Sequence, residues 1–141
     1  MRVIYENNTV YILRIERGEE AIEEILMFCE KKQINAGWVN GLGACDNTEI
    51  SYYDLSKKEY IKKVVDEECE LLNLTGNIAF TDGKRMVHAH VTLGKSDYST
   101  VGGHLHSMRI SGTGEIHITK LDAKFERELD IQTRLKLLKE I

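Results

Sequence analysis

Met86-Val-His-Ala-His-Val-Thr-Leu93 places Val87, Ala89 and Val91 on one parity and His88 and His90 on the other. Side chains of a β-strand point alternately to opposite faces. The run therefore reads as a strand that carries two imidazoles on one face. Thr81-Asp82-Gly83-Lys84 precedes it. Asp-Gly suits a two-residue loop, so a hairpin is expected between Gly76–Phe80 and Arg85–Leu93. Downstream, Gly102-Gly103-His104 brings a third imidazole after a Gly-Gly break, where a sharp backbone turn is expected.

Two imidazoles on one strand face can share an ion, and three His ligands with a vacant fourth position make an open zinc site. Such an ion can lower the pKa of bound water towards ~7 or polarise a carbonyl. The plainer alternative is a polar strand face, half exposed or hydrogen-bonded within the core. From these residues alone the two readings stand level.

Around this segment the chain reads mostly as strands. Met1 to Arg14 is expected to form a hairpin about Asn7-Asn8, because Asn tolerates the backbone of a tight turn. Ile34 to Ala44 reads as a strand in which Gly37, Gly41 and Gly43 signal either close backbone approach at a site or a bent sheet edge. Trp38 within it is expected as a packing anchor. Thr48–Leu55, Lys58–Val65, Glu70–Phe80 and Gly114–Leu121 are further strands, and Lys95–Thr100 is a polar loop. The clearest helix covers Glu19–Lys32, where Ile22, Ile25, Leu26 and Cys29 fall at i, i+3, i+4 and i+7. A second, short helix is expected over Leu129–Ile141, with Leu135 and Leu138 apolar.

The 141 residues fit one domain, 1–141, with a single core. No apolar run approaches the ~20 residues of a membrane span, and the N-terminus lacks a signal-peptide core, so a cytoplasmic location is expected. Cys29, Cys45 and Cys69 are widely spaced, odd in number and contain no Cys-x-x-Cys, which argues for buried, reduced thiols. The net charge is −4, and the lysine pairs lie close to acids, as on a mixed-charge surface. There is no proline. Phosphate loops, dinucleotide fingerprints and nucleophile elbows are all missing.

Taken in order, several pieces resemble the plant-and-prokaryote conserved (PPC) domain family. They are Val39-Asn-Gly-Leu-Gly-Ala44, Glu70-Leu-Leu-Asn-Leu-Thr-Gly-Asn-Ile78, His88-Ala-His90, Gly102-Gly-His-Leu105 and Gly114-Glu-Ile-His-Ile118, followed by an Arg127…Asp130…Thr133…Leu135 tail. The resemblance implies an α+β fold, a curved and mostly antiparallel or mixed sheet of about seven strands with one main helix packed on it, assembled as a homotrimer. It further implies a relation to acetolactate decarboxylase-like folds, whose zinc pattern maps onto His88, His90 and His104. His106 would share a face with His104 in a regular strand and so could be a fourth ligand. His117 is expected to be structural or exposed. Glu70 and Glu115, both within the matching pieces, are the candidate catalytic or supporting carboxylates, with Asp97 behind them. Prokaryotic members are commonly described as DNA-binding. A DNA-associated regulatory module is therefore the alternative function, with Lys57, Lys58, Lys62, Lys63, Lys84 and Arg85 as its first candidate contacts.

Overall fold

The computed structural model describes residues 1–140. The chain forms β1 (Arg2–Glu6), β2 (Val10–Ile15), α1 (Ala21–Lys31), β3 (Gly37–Asp54), β4 (Glu59–Val65), β5 (Cys69–Thr81), β6 (Lys84–Gly94), β7 (Thr100–Lys120), β8 (Glu126–Leu129) and β9 (Lys136–Leu138). The fold is α+β, as the resemblance implies. All nine strands join one sheet, and all its pairings are antiparallel except that of β5 with β8.

Two long strands organise the sheet. β3 runs 18 residues and β7 runs 21. Each absorbs its curvature through register shifts, which is why stretches expected as separate strands are continuous. β7 pairs in turn with β6, β3 and β2, and β3 pairs with β4, β5 and β7. The pairings β3–β5, β5–β6, β6–β7 and β7–β3 complete a circuit, so this part of the sheet closes on itself. Its concave side holds Leu74, Ile78, Leu93, Met108, Ile110, Ile116 and Ile118, all fully buried.

The helix begins where Glu20 accepts a hydrogen bond from the backbone N–H of Glu23 at 2.6 Å. The same carboxylate accepts from the N–H of Met108 at 2.7 Å, tying the helix start to β7. Ala21, Ile25, Phe28 and Cys29 form its buried stripe. Cys29, Cys45 and Cys69 are free and buried, as expected.

Three expectations are revised. Residues 129–140 form no helix. The Asp130 carboxylate holds the Thr133 N–H and hydroxyl at 2.7 and 2.6 Å, and the Arg134 N–H bonds the Asp130 carbonyl, so the chain turns and β9 returns along β8. Ile141, the last residue of that expected helix, lies outside the described residues. Trp38 is 48% exposed on the outer side of β3 rather than packed inside this chain. Gly102 and Gly103 make no turn but lie within the β6–β7 ladder opposite Thr92 and Val91. They permit close approach: a Cβ on Gly103 would come within 2.7 Å of the Ser51 carbonyl oxygen, and one on Gly102 within 2.5 Å of that of Val91.

Candidate metal centre

β6 turns Val87, Ala89 and Val91 inward, all buried, which leaves His88 and His90 on the outer face. β7 pairs antiparallel with β6 so that His104 stands directly across from His90. Cross-strand neighbours share a face. Three imidazoles from two strands thus converge by register alone. Ring centroids are 5.3 Å apart for His88 and His90, 5.1 Å for His88 and His104, and 5.5 Å for His90 and His104. One ring nitrogen from each lies within 4.8 Å of the other two. Zinc with nitrogens at ~2.1 Å in a tetrahedral array sets them about 3.4 Å apart, so modest side-chain rotation closes the set.

The electrostatics favour neutral rings. Burial, then the charges of Arg127 and His90, push His88 down to about 4. Burial, followed by the surrounding histidines and Arg127, pushes His104 down to about 4 as well. A metal ligand must be a neutral imidazole, so neither residue has to shed a proton near neutrality.

Arg127 is the main neighbour of the triad. β8 pairs parallel with the end of β5, Thr81 opposite Arg127, which delivers the guanidinium to the imidazoles. Its Nη2 donates to Asn77 Oδ1 at 2.8 Å and to His88 Nδ1 at 3.0 Å, and its Nη1 donates to the Lys136 carbonyl at 2.9 Å. A guanidinium only donates, so Nδ1 of His88 carries the lone pair and Nε2 the hydrogen. Ligation through Nε2 requires the opposite tautomer, and ligation through Nδ1 takes the position that Nη2 uses. Either way, an ion on His88 displaces this Arg127 contact.

His106 stands beside the triad without joining it. Its Nε2 lies 2.8 Å from Ser51 Oγ, and its ring is 5.0 Å from that of His104. Burial and the nearby Lys62 lower its pKa. Tyr60 tilts against His104 with centroids 5.1 Å apart. Sequence reasoning missed Tyr60 and the ligand-facing place of Arg127. Nothing in the local pattern of either residue reports a neighbour so distant along the chain.

The expected carboxylates are elsewhere. Glu70 is exposed and pairs with Gly94, whereas His90 pairs with Thr75. Four residues of β6 separate His90 from Gly94, roughly 13 Å. Glu115 is exposed in the part of β7 that pairs with β2 and β3, eleven residues beyond His104. Asp97 accepts from Ser99 N and Oγ and so shapes its own loop. His117 contacts Thr119 Oγ1 at 3.4 Å, away from the triad.

Three of the six cations considered for nucleic acid are engaged within the chain. Lys62 pairs with Glu49 at 2.6 Å and Lys57 with Asp54 at 3.8 Å. Arg85 donates to the Ile34 carbonyl and Asn35 Oδ1 and lies over the Phe80 ring.

A family model described as the Plants and Prokaryotes Conserved (PCC) domain matches residues 3–122. Among solved structures, a metal-containing protein of Archaeoglobus fulgidus superposes with a TM-score of 0.88 at 36% identity, covering 99% of each chain. A plant- and prokaryote-conserved protein of Pyrococcus horikoshii gives 0.85 at 34% identity, over 94% of this chain and 92% of that one. A candidate DNA-binding protein of Bacteroides thetaiotaomicron gives 0.92 at 30% identity, over 98% and 96%. Among curated proteins, the bifunctional protein GlmU of Synechococcus sp. is 29% identical over 127 residues. That match covers 88% of this chain, which spans about a fifth, 19%, of GlmU.

Proposed function

Because the chain belongs to the Plants and Prokaryotes Conserved domain family, and because its three outward imidazoles converge, we propose that it is a metal-binding domain whose ion, zinc in the first instance, is open to a small-molecule ligand. The observation that carries this reading is the set of His88, His90 and His104 nitrogens within 4.8 Å of one another. The metal-containing description of the 36%-identical Archaeoglobus protein supports it. So does the donor chemistry: imidazole suits zinc and other late divalent ions.

Bound there, the ion would act as a Lewis acid towards a ligand oxygen. The chain's own residues do the rest. Burial keeps His88 and His104 neutral. Tyr60 braces the His104 ring. Arg127 presents positive charge to whatever approaches from the β8 side. Glu70 and Glu115, both remote, have no step at the ion in this reading.

We read residues 1–141 as one such domain and its assembly as a homotrimer. Trp38, Leu42 and Leu72 leave large apolar surface exposed on the outer side of β3 and β5, and Leu42 and Leu72 line one groove. Such contiguous apolar surface marks an interaction face.

Elemental analysis of protein purified without a metal-affinity tag tests the centre. One zinc or other divalent ion per chain is expected, lost when His88, His90 and His104 are all replaced by Ala. A metal-free protein that does not take up added zinc would sink the proposal. DNA association is the weaker reading. It rests on the description of the Bacteroides protein, while Lys57, Lys62 and Arg85 are engaged within this chain. A phosphate-binding surface would give duplex binding that weakens steeply with salt. Salt-sensitive retardation of duplex DNA at low ionic strength would restore that reading.

A further inference from the structure

The cavity walled on one side by His88 and His104 has polar groups that the metal site leaves unused. It encloses about 300 Å³ beneath the turn and strand of the C-terminal segment. This is the small end of the range for ligand cavities, roughly 300–1,000 Å³. Met86, Leu135 and Leu137 give it an apolar wall. Two guanidiniums border it, Arg127 half-buried and Arg134 exposed at the rim. Among the described residues no carboxylate pairs with Arg127 or Arg134, as is also true of Arg17 and Arg85, whereas Arg2, Arg14 and Arg109 are ion-paired. Lys136, the remaining cation of the lining, is occupied by Asp82.

Two residues of this lining each hold a buried atom without a partner. Arg127 Nε and Thr81 Oγ1 are both buried with no hydrogen-bond partner among the described residues. Buried polar groups are nearly always satisfied, and an orphan calls for an explanation such as a ligand.

We propose that this cavity is a binding subsite for a small organic carboxylate. The carboxylate takes the Arg127 and Thr81 donors, Arg134 closes over it at the rim, and a short aliphatic tail lies against Met86, Leu135 and Leu137. A bare inorganic anion would use the cations but not the apolar wall. The proposal deepens the metal-centre reading, since His88 and His104 border the same cavity, but its test does not require the ion.

The experiment is calorimetric titration of isovalerate into the full chain, once after chelator treatment and once with one equivalent of zinc. Isovaleramide and inorganic phosphate serve as comparison probes, and zinc uptake is measured on the same samples. Isovalerate is expected to bind roughly tenfold or more tightly than the neutral amide, as loss of a charge-assisted contact implies. Phosphate is expected to bind more weakly than isovalerate. Arg127→Met should weaken isovalerate about tenfold. Arg134→Gln, at an exposed position that anchors no other side chain, should weaken it several-fold with an unchanged melting temperature. Equal affinity for acid and amide, phosphate binding as tight as isovalerate, no effect of Arg134→Gln in a folded variant, or no binding in either form would each overturn the proposal. Zinc uptake without isovalerate binding refutes this inference alone. Isovalerate binding to a protein that never takes up zinc refutes the metal-centre reading alone.

Discussion

Acidifying the metal-free protein should destabilise it well before its carboxylates are protonated, and the cause is two rings. His88 and His104 titrate near 6.5 in an unfolded chain but only at about 4 in the folded one. Between those values the unfolded chain binds more protons, so folding stability falls as pH falls from about 6.5 towards 4. At about pH 5 each ring would cost about 2 kcal/mol relative to neutral pH, or about 4 kcal/mol together. Both rings are only half-buried, and solvent screening leaves roughly half of this, about 2 kcal/mol. For a chain of this size that is a fall of about 6 °C in melting temperature. The assay is thermal or urea unfolding from pH 7 to pH 5, with chelator present, on the wild type and on a His88→Asn/His104→Asn variant. The wild type should lose this stability and the variant should keep it. Zinc at about a hundred times its Kd should add back about 2.7 kcal/mol. A wild type that is flat across the window, or a variant with the same slope, would refute the account of how burial and Arg127 hold these imidazoles neutral.

Arg127→Met should tighten zinc binding while weakening isovalerate. Removing a unit charge on the order of 6 Å from a divalent ion relieves about 1.4 kcal/mol even in a water-like medium, about tenfold, whereas a merely misfolded variant would weaken both in calorimetry. Gly76→Ala should destabilise the fold by about 1–3 kcal/mol in urea denaturation, the usual cost of overpacking. Its Cβ would collide with the His88 carbonyl oxygen and come within 2.9 Å of the Ala89 Cα, so zinc affinity should fall with it. Trp38→Glu should convert an assembly near three times the 16.2 kDa chain mass to monomer in sedimentation velocity, while a wild type that sediments as a monomer would remove the homotrimer reading.

What could be read in advance was set by local periodicity. The His88–His90 face follows from the alternation in β6, and α1 from its i, i+3, i+4 stripe. The Asn7-Asn8 and Asp82-Gly83 hairpins follow from turn chemistry. What could not be read depended on pairing between distant segments. The single long path of β7 is set by three partners in succession, so its pattern does not announce where one ladder ends and the next begins. The C-terminal segment departs from the expected helix because Leu135 and Leu138 alone do not make a helical stripe, and the Asp130 turn outweighs them. Trp38 departs from the expected packing because size argues for burial without naming the surface that provides it. Glu70 and Glu115 belong to the matching motifs, yet the register places Glu70 opposite Gly94 and Glu115 opposite Leu42, away from the imidazoles.

The same register explains why the site has two parts that can vary separately. His90 opposite His104, with His88 two residues away, is fixed by the β6–β7 ladder, and a one-residue slip would turn the inner face outward. That ladder lies inside residues 3–122, the span matched by the family model. Arg127 and Arg134, which give the cavity its charge, lie beyond that span and arrive only through β8 pairing with β5. The imidazoles therefore depend on the core of the sheet, buried on its inner side by Val87, Ala89 and Val91. The cations depend on a short exposed hairpin held by Asp130, Tyr53 and the Arg127 bonds. A change in the hairpin can alter which ligand is admitted at little cost to the core, whereas a change in the ladder removes the ion and destabilises the fold together.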